Sequence, residues 1–324
     1  PNIEIVLIGI TIQLVVSDPT IYNIYNGVKK VVEQGYTKPI AILPFIEGTR
    51  NQDVAEKFRE IGVPILPSPK YAFSALSHLS KYIAYDCTKR ELSLAVPHKK
   101  AGGRKKALSE VKSKRMLKES GIPLELGVIV TSREEVLAQA ENVTFPVVMK
   151  IESDDILHKS DVGGVVLNIR NEKEAVSAYE TILENVKNRV PDAKINGVLM
   201  QNMMPQGTEL ILGVKRDAQF GPMLLAGLGG VFVEVFGDSS LYPIPLNKEE
   251  ARRMLEALKS YKLLKGCRGT KARDIDAVVE MMVSVSDFAE AHKDELCELD
   301  INPLFVYEEG QGTGVADALV VLEE

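Results

Sequence analysis

The heptapeptide His-Lys-Ser-Asp-Val-Gly-Gly, residues 158–164, is a charged and flexible corner between two apolar stretches, FPVVMK ending at Lys150 and VVLNI starting at Val165. A lysine that finishes an apolar strand needs a partner, because burying an unpaired ammonium is costly. Gly163 and Gly164 carry no Cβ, so consecutive backbone N–H groups there can approach phosphate oxygens. A strand lysine facing a glycine-rich hairpin suits the phosphates of a nucleotide. The plainer alternatives are a lysine capping its strand at the surface and an ordinary Gly-Gly hairpin.

A second constellation lies near the carboxyl end, in ELDINPL and VADAL. Strand periodicity puts Asp300 and Asn302 on one face, and Asp317 can oppose them from the next strand. Two carboxylates and a carboxamide are hard oxygen donors, which suit Mg²⁺ with its retained waters. The competing reading is an Asn-Pro turn start beside a solvated edge aspartate. Two further stretches are weaker. MQNMMPQGTELILG joins two strands through a Pro/Gly connection, as a hinge reading an adenine base would, and Glu209 there could bond a ribose hydroxyl. LLAGLGGVFVEVFGD holds Gly227, Gly229 and Gly230 in a turn that can close over phosphate. A strand rather than a helix follows it, which excludes a dinucleotide fingerprint.

The elements that must position these residues follow from pattern. Residues 1–85 alternate strand-like runs (IEIVLIGITIQLVV, KPIAILPF, VPIL) with helical ones ending at Gly35 and Gly62. Such alternation predicts a parallel, doubly wound α/β domain. It opens almost inside its first strand, so an N-terminally incomplete domain, 1–86, is expected. The linker is placed at 87–106, where Pro97, two glycines, His98 and a basic cluster break every apolar period. From residue 107 the pattern is α+β in two lobes, 107–200 and 201–324. SEVKSKRMLKESGIP reads as a helix with Ser109 as N-cap, and Ser132 with Glu135 as a capping box.

Composition bounds the function classes. The 324 residues are 45% hydrophobic and 26% charged, ample for a globular core. The net charge of −6 lacks the basic footprint of nucleic-acid binding. No apolar run reaches the ~18 residues a membrane span requires. Cys87, Cys267 and Cys297 lack disulfide or metal spacing, which points to a reducing cytoplasm.

Taken together, Lys150, HKSDVGG, ELILGVKRDAQFGP, LGGVFVEVF and ELDINPL with VADALVVL resemble the ATP-grasp part of NDP-forming (ADP-forming) acyl-CoA synthetases, relatives of succinyl-CoA synthetase. Residues 1–85 resemble, less sharply, the flavodoxin-like ligase domain of fused members. The resemblance implies a reversible reaction of acyl-CoA, ADP and phosphate to carboxylate, CoA and ATP through a phosphohistidine. It implies Lys150 on nucleotide phosphates, Gly163 and Gly164 covering them, Gln201 at the adenine hinge and Glu209 at the ribose. Asn302 and Asp317 match the Mg²⁺ ligands. Asp300 matches the acid that orients a phosphohistidine, and His158 a histidine that passes phosphate between sites. Neutral imidazole is a competent phosphate acceptor near pH 7, and Lys159 beside it can screen incoming charge.

One departure is large. The CoA-binding and main phosphohistidine domains of complete members have no counterpart in this sequence. The expectation is therefore a nucleotide-binding, phosphoryl-transferring part, incomplete alone, that meets CoA or acyl-CoA through the missing domains or a partner subunit in an oligomer. The alternatives are a nucleotide-sensing or assembly subunit, as in acetyltransferase-linked relatives, and a CoA-ester scaffold.

Overall fold

The computed structural model describes residues 4–12, 19–45, 51–84, 103–156, 158–217, 219–229, 237–266, 269 and 271–323. The chain divides into two compact units, 1–91 and 92–324. Most of the expected linker, with His98, Lys99 and Lys100, lies outside the described residues, as do Cys87, Cys267, Gly230 and the VFVEVF run.

In the first unit, β1 (Val6–Ile10) and β2 (Ile40–Pro44) pair in parallel. Helices α1 (Thr20–Glu33), α2 (Gln52–Glu60) and α3 (Pro69–Ala84) complete it. Ile42, Val54 and Phe58 are buried at its centre. Asn51 starts α2 by accepting from the Val54 N–H at 3.1 Å. The expected strand VPIL is reduced to one parallel bridge, Ile65 to Ile42.

The second unit runs β3 (Lys105–Ala107), α4 (Glu110–Glu119), β4 (Val128–Val130), α5 (Arg133–Ala140), β5 (Val147–Ser153), β6 (Val165–Ile169) and α6 (Glu172–Arg189). It continues with β7 (Ile195–Asn202), β8 (Thr208–Asp217), β9 (Gly221–Leu228), β10 (Ser239–Pro243), α7 (Lys248–Glu256) and α8 (Tyr261–Leu264). It closes with α9 (Ile275–Ala291), β11 (Leu296–Val306), β12 (Thr313–Val315) and β13 (Ala318–Glu323).

Two antiparallel sheets result. The smaller has the order β4-β7-β5-β6, and the larger β10-β9-β8-β11-β13-β3 with β12 on β11. Each has its own core. Met149, Ile151, Tyr179 and Ile182 belong to the smaller lobe, and Leu212, Met282, Phe288 and Leu299 to the larger. Among the described residues no helix is long and apolar enough to cross a membrane.

Several boundaries differ from the sequence reading. Lys105–Ala107, expected in the linker, pair with β13 and edge the larger sheet. β7 runs to Asn202, so the smaller sheet extends beyond residue 200. β5 does not stop at Lys150 but continues to Ser153, buried throughout. Its alternation puts Val147, Met149 and Ile151 in the smaller core, which leaves Lys150 and Glu152 on the opposite face. Ser109 occupies the N-cap position of α4, yet its hydroxyl caps nothing. At α5 the Ser132 hydroxyl accepts from the Glu135 N–H, but the Glu135 carboxylate turns to Thr131 instead of completing the box.

The Gly-Gly corner is a packing requirement. Gly163 adopts a φ of +66°, the left-handed region. A Cβ on Gly164 would stand 2.6 Å from Ile151 Cγ2 and 3.0 Å from the Lys159 carbonyl. Gly164→Val is therefore expected to cost about 1–3 kcal/mol by overpacking, read as a lowered midpoint in thermal unfolding. An unchanged midpoint would show that the β5–β6 connection tolerates a side chain.

Candidate functional site

Helix α4 lies between the two sheets and is fixed to the larger one. The Ser113 hydroxyl accepts from the Val320 N–H at 3.0 Å, the Leu108 N–H donates to the Val320 carbonyl at 2.8 Å, and Leu117 enters the larger core. The i, i+4 spacing then puts Glu110 and Lys114 together on one face, within reach of Lys150 of the smaller sheet. Both are buried, with side-chain exposures of 0% and 1%.

Glu110 is the centre of a charge cluster that sequence reasoning missed. Its Oε1 accepts from Lys114 Nζ and from Lys150 Nζ, each at 2.8 Å. Its Oε2 accepts from Lys159 Nζ at 3.0 Å. Lys114 also donates to the Ala316 carbonyl at 2.7 Å and to Gln201 Oε1 at 3.3 Å. Lys150 also reaches the Ala316 carbonyl at 3.1 Å and Asp317 Oδ2 at 3.4 Å. Asp317 lies 3.8 Å from Lys159 as well. Residues from α4, β5 and the His158–Gly164 corner thus converge on one carboxylate, and the lysines link it to Gln201 of β7 and to Ala316 and Asp317 just before β13.

The electrostatics follow from burial and pairing. Burial alone would push the Glu110 carboxyl up, but the ammoniums of Lys150, Lys114 and Lys159 outweigh it and hold the group well below the usual carboxylate range. Burial lowers the Lys114 ammonium, with Glu110 opposing the shift. Burial also acts to lower Lys159, yet Glu110 and Asp317 raise it above its ordinary value. Three ammoniums face the two carboxylates of Glu110 and Asp317, and the Glu152 carboxyl also acts on Lys159.

Beside it opens a cleft of about 270 Å³. His158, Lys159, Asp300, Asn302 and Asp317 line it together with Ser109 and Glu110. β11 carries a bulge between Ile301 and Leu304, at Asn302-Pro303, and the Asn302 N–H donates to the Asp317 carbonyl at 3.3 Å. Such bulges re-aim side chains next to sites. Burial pushes the Asp300 carboxyl up, reinforced by Glu298 and Asp317. Two acids so crowded are relieved by a divalent cation. The oxygen donors of Asp300, Asn302 and Asp317 fit Mg²⁺, which keeps waters in its shell. Among the described residues no group of three or more His, Cys, Asp or Glu side chains is placed to hold a metal ion.

The remaining sequence candidates divide. A second cleft of about 650 Å³ is lined by Ile122, Leu124, Asn202–Pro205, Tyr307 and Val315. The hinge stretch MQNMMPQ therefore does border a cavity, but Gln201 itself turns to Lys114. Glu209 is exposed on β8, its carbonyl accepting from the Gly229 N–H at 2.7 Å. Gly163 and Gly164 differ most from expectation. Their N–H groups already donate to the Ser160 and Lys159 carbonyls at 3.0 and 2.8 Å, so neither amide is free to receive phosphate.

The family profile of the ATP-grasp domain matches residues 99–322. The beta subunit of acetate–CoA ligase [ADP-forming] II of Pyrococcus furiosus is 41% identical over 217 residues, 67% of this chain and 92% of that one. The chain belongs to the ATP-grasp family of ADP-forming CoA ligases. Acetate–CoA ligase [ADP-forming] I of Archaeoglobus fulgidus is 38% identical over 297 residues, 88% of this chain. The chain spans only 42% of that longer ATP-grasp relative. Among solved structures, acetyl-coenzyme A synthetase 1 of Ca. Korarchaeum cryptofilum, in complex with coenzyme A, Ca-AMPCP and HgCl⁺, superposes with a TM-score of 0.64 at 42% identity, covering 67% of this chain and 94% of that one. These ATP-grasp relatives are acid-thiol ligases by name.

Glu110 and Lys114 left one signal in the sequence. A Glu and a Lys four apart, on the helix face that also presents Leu117, mark charge on a side destined for burial.

Proposed function

We propose that residues 103–323 bind a nucleoside di- or triphosphate with Mg²⁺ and exchange a phosphoryl group between the nucleotide and His158. The chain would thus act as the phosphoryl-transfer part of an ADP-forming acyl-CoA synthetase. One observation carries the reading: the buried Lys114–Lys150–Lys159 cluster abuts a cleft that also holds a histidine and three hard oxygen donors. Lys150 and Lys159 offer ammonium groups to phosphate oxygens. Asn302 and Asp317 hold the cation, which when bound neutralises developing charge on the phosphates. The apolar cleft beside Asn202–Pro205 accommodates the base, with the hinge backbone to read it.

In the transfer, a His158 ring nitrogen forms a bond to the terminal phosphorus. The bond from that phosphorus to its bridging oxygen breaks, and ADP leaves with the electron pair. Return of the phosphoryl group to ADP reverses both changes. Asp300, beside His158 in the cleft, orients the imidazole. Acyl transfer to CoA requires domains supplied elsewhere, in a longer chain or by a partner subunit, in line with the subunit naming of the Pyrococcus relative. Cleft residues of all the types phosphoryl transfer needs favour this reading over a sensing or assembly role.

Calorimetric titration with ADP, with and without Mg²⁺, tests it. Binding is expected to depend on Mg²⁺ and to weaken about tenfold or more in Asp317→Ala, as loss of one charged ligand of a hard cation implies. Absence of nucleotide binding by the folded wild-type chain would overturn the proposal.

A further inference from the structure

We infer that Glu110 is the positioning residue of the nucleotide site, a buried anion that aims Lys150 and Lys159 at the phosphates. The inference rests on the nucleotide-binding reading above. Glu110 touches the two lysines with different oxygens, Lys150 with Oε1 at 2.8 Å and Lys159 with Oε2 at 3.0 Å. The planar carboxylate therefore fixes the separation of two ammoniums that belong to different parts of the smaller lobe, the middle of β5 and the corner following it. Neither lysine is an ordinary surface group: their side chains are 10% and 12% exposed.

A long flexible side chain loses rotamer entropy on binding a ligand. An anchor that holds its ammonium beforehand removes that cost from the binding step. Glu110 is itself held. Lys114 occupies Oε1 from one turn further along α4, and Ser113 ties that helix to β13. The anchor therefore stands on the larger lobe while the lysines come from the smaller. Lys114 differs from the other two lysines. With 1% exposure and bonds to Ala316 and Gln201, its donors are consumed inside the protein, and it serves to fix Glu110. Asp317 shares Lys150 and Lys159, but at 3.4 and 3.8 Å and from a more exposed side chain, so it is the weaker of the two counter-charges.

A double-mutant cycle on the full chain separates positioning from a merely structural role. ADP affinity is measured for wild type, Glu110→Gln, Lys150→Met with Lys159→Met, and the triple variant, with near-ultraviolet circular dichroism verifying the fold. Glu110→Gln is expected to weaken ADP at least tenfold, and this loss is expected to vanish once both lysines are gone, because Glu110 acts only through them. Glu110→Asp keeps the charge but withdraws it by one methylene, and should fall between wild type and Gln. Wild-type affinity in folded Glu110→Gln, or an equal loss with and without the lysines, would overturn the inference. Should Glu110→Gln not fold, Glu110→Asp decides: a loss of threefold or more, absorbed by the lysine substitutions, supports the role, and wild-type affinity overturns it. Failure of the wild-type chain to bind ADP would count against the nucleotide site itself, a distinguishable result.

Discussion

Lys150→Met is expected to weaken ADP binding on the order of a hundredfold, the effect of losing a charge-assisted contact worth about 2–3 kcal/mol. The side chain is placed for that role. Its ammonium stands at the boundary between the two sheets, within reach of Glu110, the Ala316 carbonyl and Asp317. Methionine keeps most of the apolar stem, so β5 retains its packing. The fold should survive, because Glu110 keeps two ammonium partners in Lys114 and Lys159. The cluster then loses one positive charge, and the attraction for phosphate falls accordingly. Lys112→Met is the matched control. Lys112 pairs with Asp154 at 2.8 Å, but the side chains are 52% and 40% exposed, and such surface pairs contribute only about 0–1 kcal/mol. Calorimetry on both variants checks the contrast. Unchanged affinity in a folded Lys150→Met chain would remove this lysine from the phosphate site.

His158→Asn should abolish transfer while sparing binding. An exposed histidine lining the cleft beside Lys159 has a nitrogen lone pair available for phosphorus, and asparagine has none. Removing the nucleophile of a covalent step costs roughly a thousandfold or more in rate. The measurement is incorporation of label from γ-labelled ATP into protein, with the acid lability of a phosphorus–nitrogen bond identifying the adduct. ADP affinity should stay within about threefold of wild type, since the lysines and the oxygen donors are untouched. Label incorporation that persists in the variant would assign the acceptor to another group.

Much of this architecture is legible in the sequence because local chemistry enforces it. Asn51, Asn171 and Asn247 each start a helix by accepting from the N3 amide, and the turn residues Gly35, Gly62 and Gly121 adopt the positive φ their positions require. The Asp300–Asn302–Asp317 set was readable from strand periodicity and one short connection. Glu110 was not, since its partners Lys150 and Lys159 lie 40 and 49 residues away. A first-turn glutamate also reads as an ordinary response to the helix dipole. The same limit applies to Gly163 and Gly164. Their type announces a special backbone, but only the folded turn reveals that their amides are already bonded. Gln201, whose side chain bonds Lys114, differs for a third reason: a one-residue step along β7 exchanges one wall of the strand for the other, and pattern alone does not choose between them.

β3 and β13 lie side by side at the edge of the larger sheet, and the Gly103 N–H donates to Glu323 Oε1 at 2.7 Å. The two extremities of the ATP-grasp unit therefore leave it at one place. A unit with neighbouring ends is modular: it can be spliced into a longer polypeptide, or cut loose, without disturbing the site between its lobes. This gives a physical basis for the two gene arrangements among its relatives, a separate beta subunit in Pyrococcus and a segment of a longer chain in Archaeoglobus.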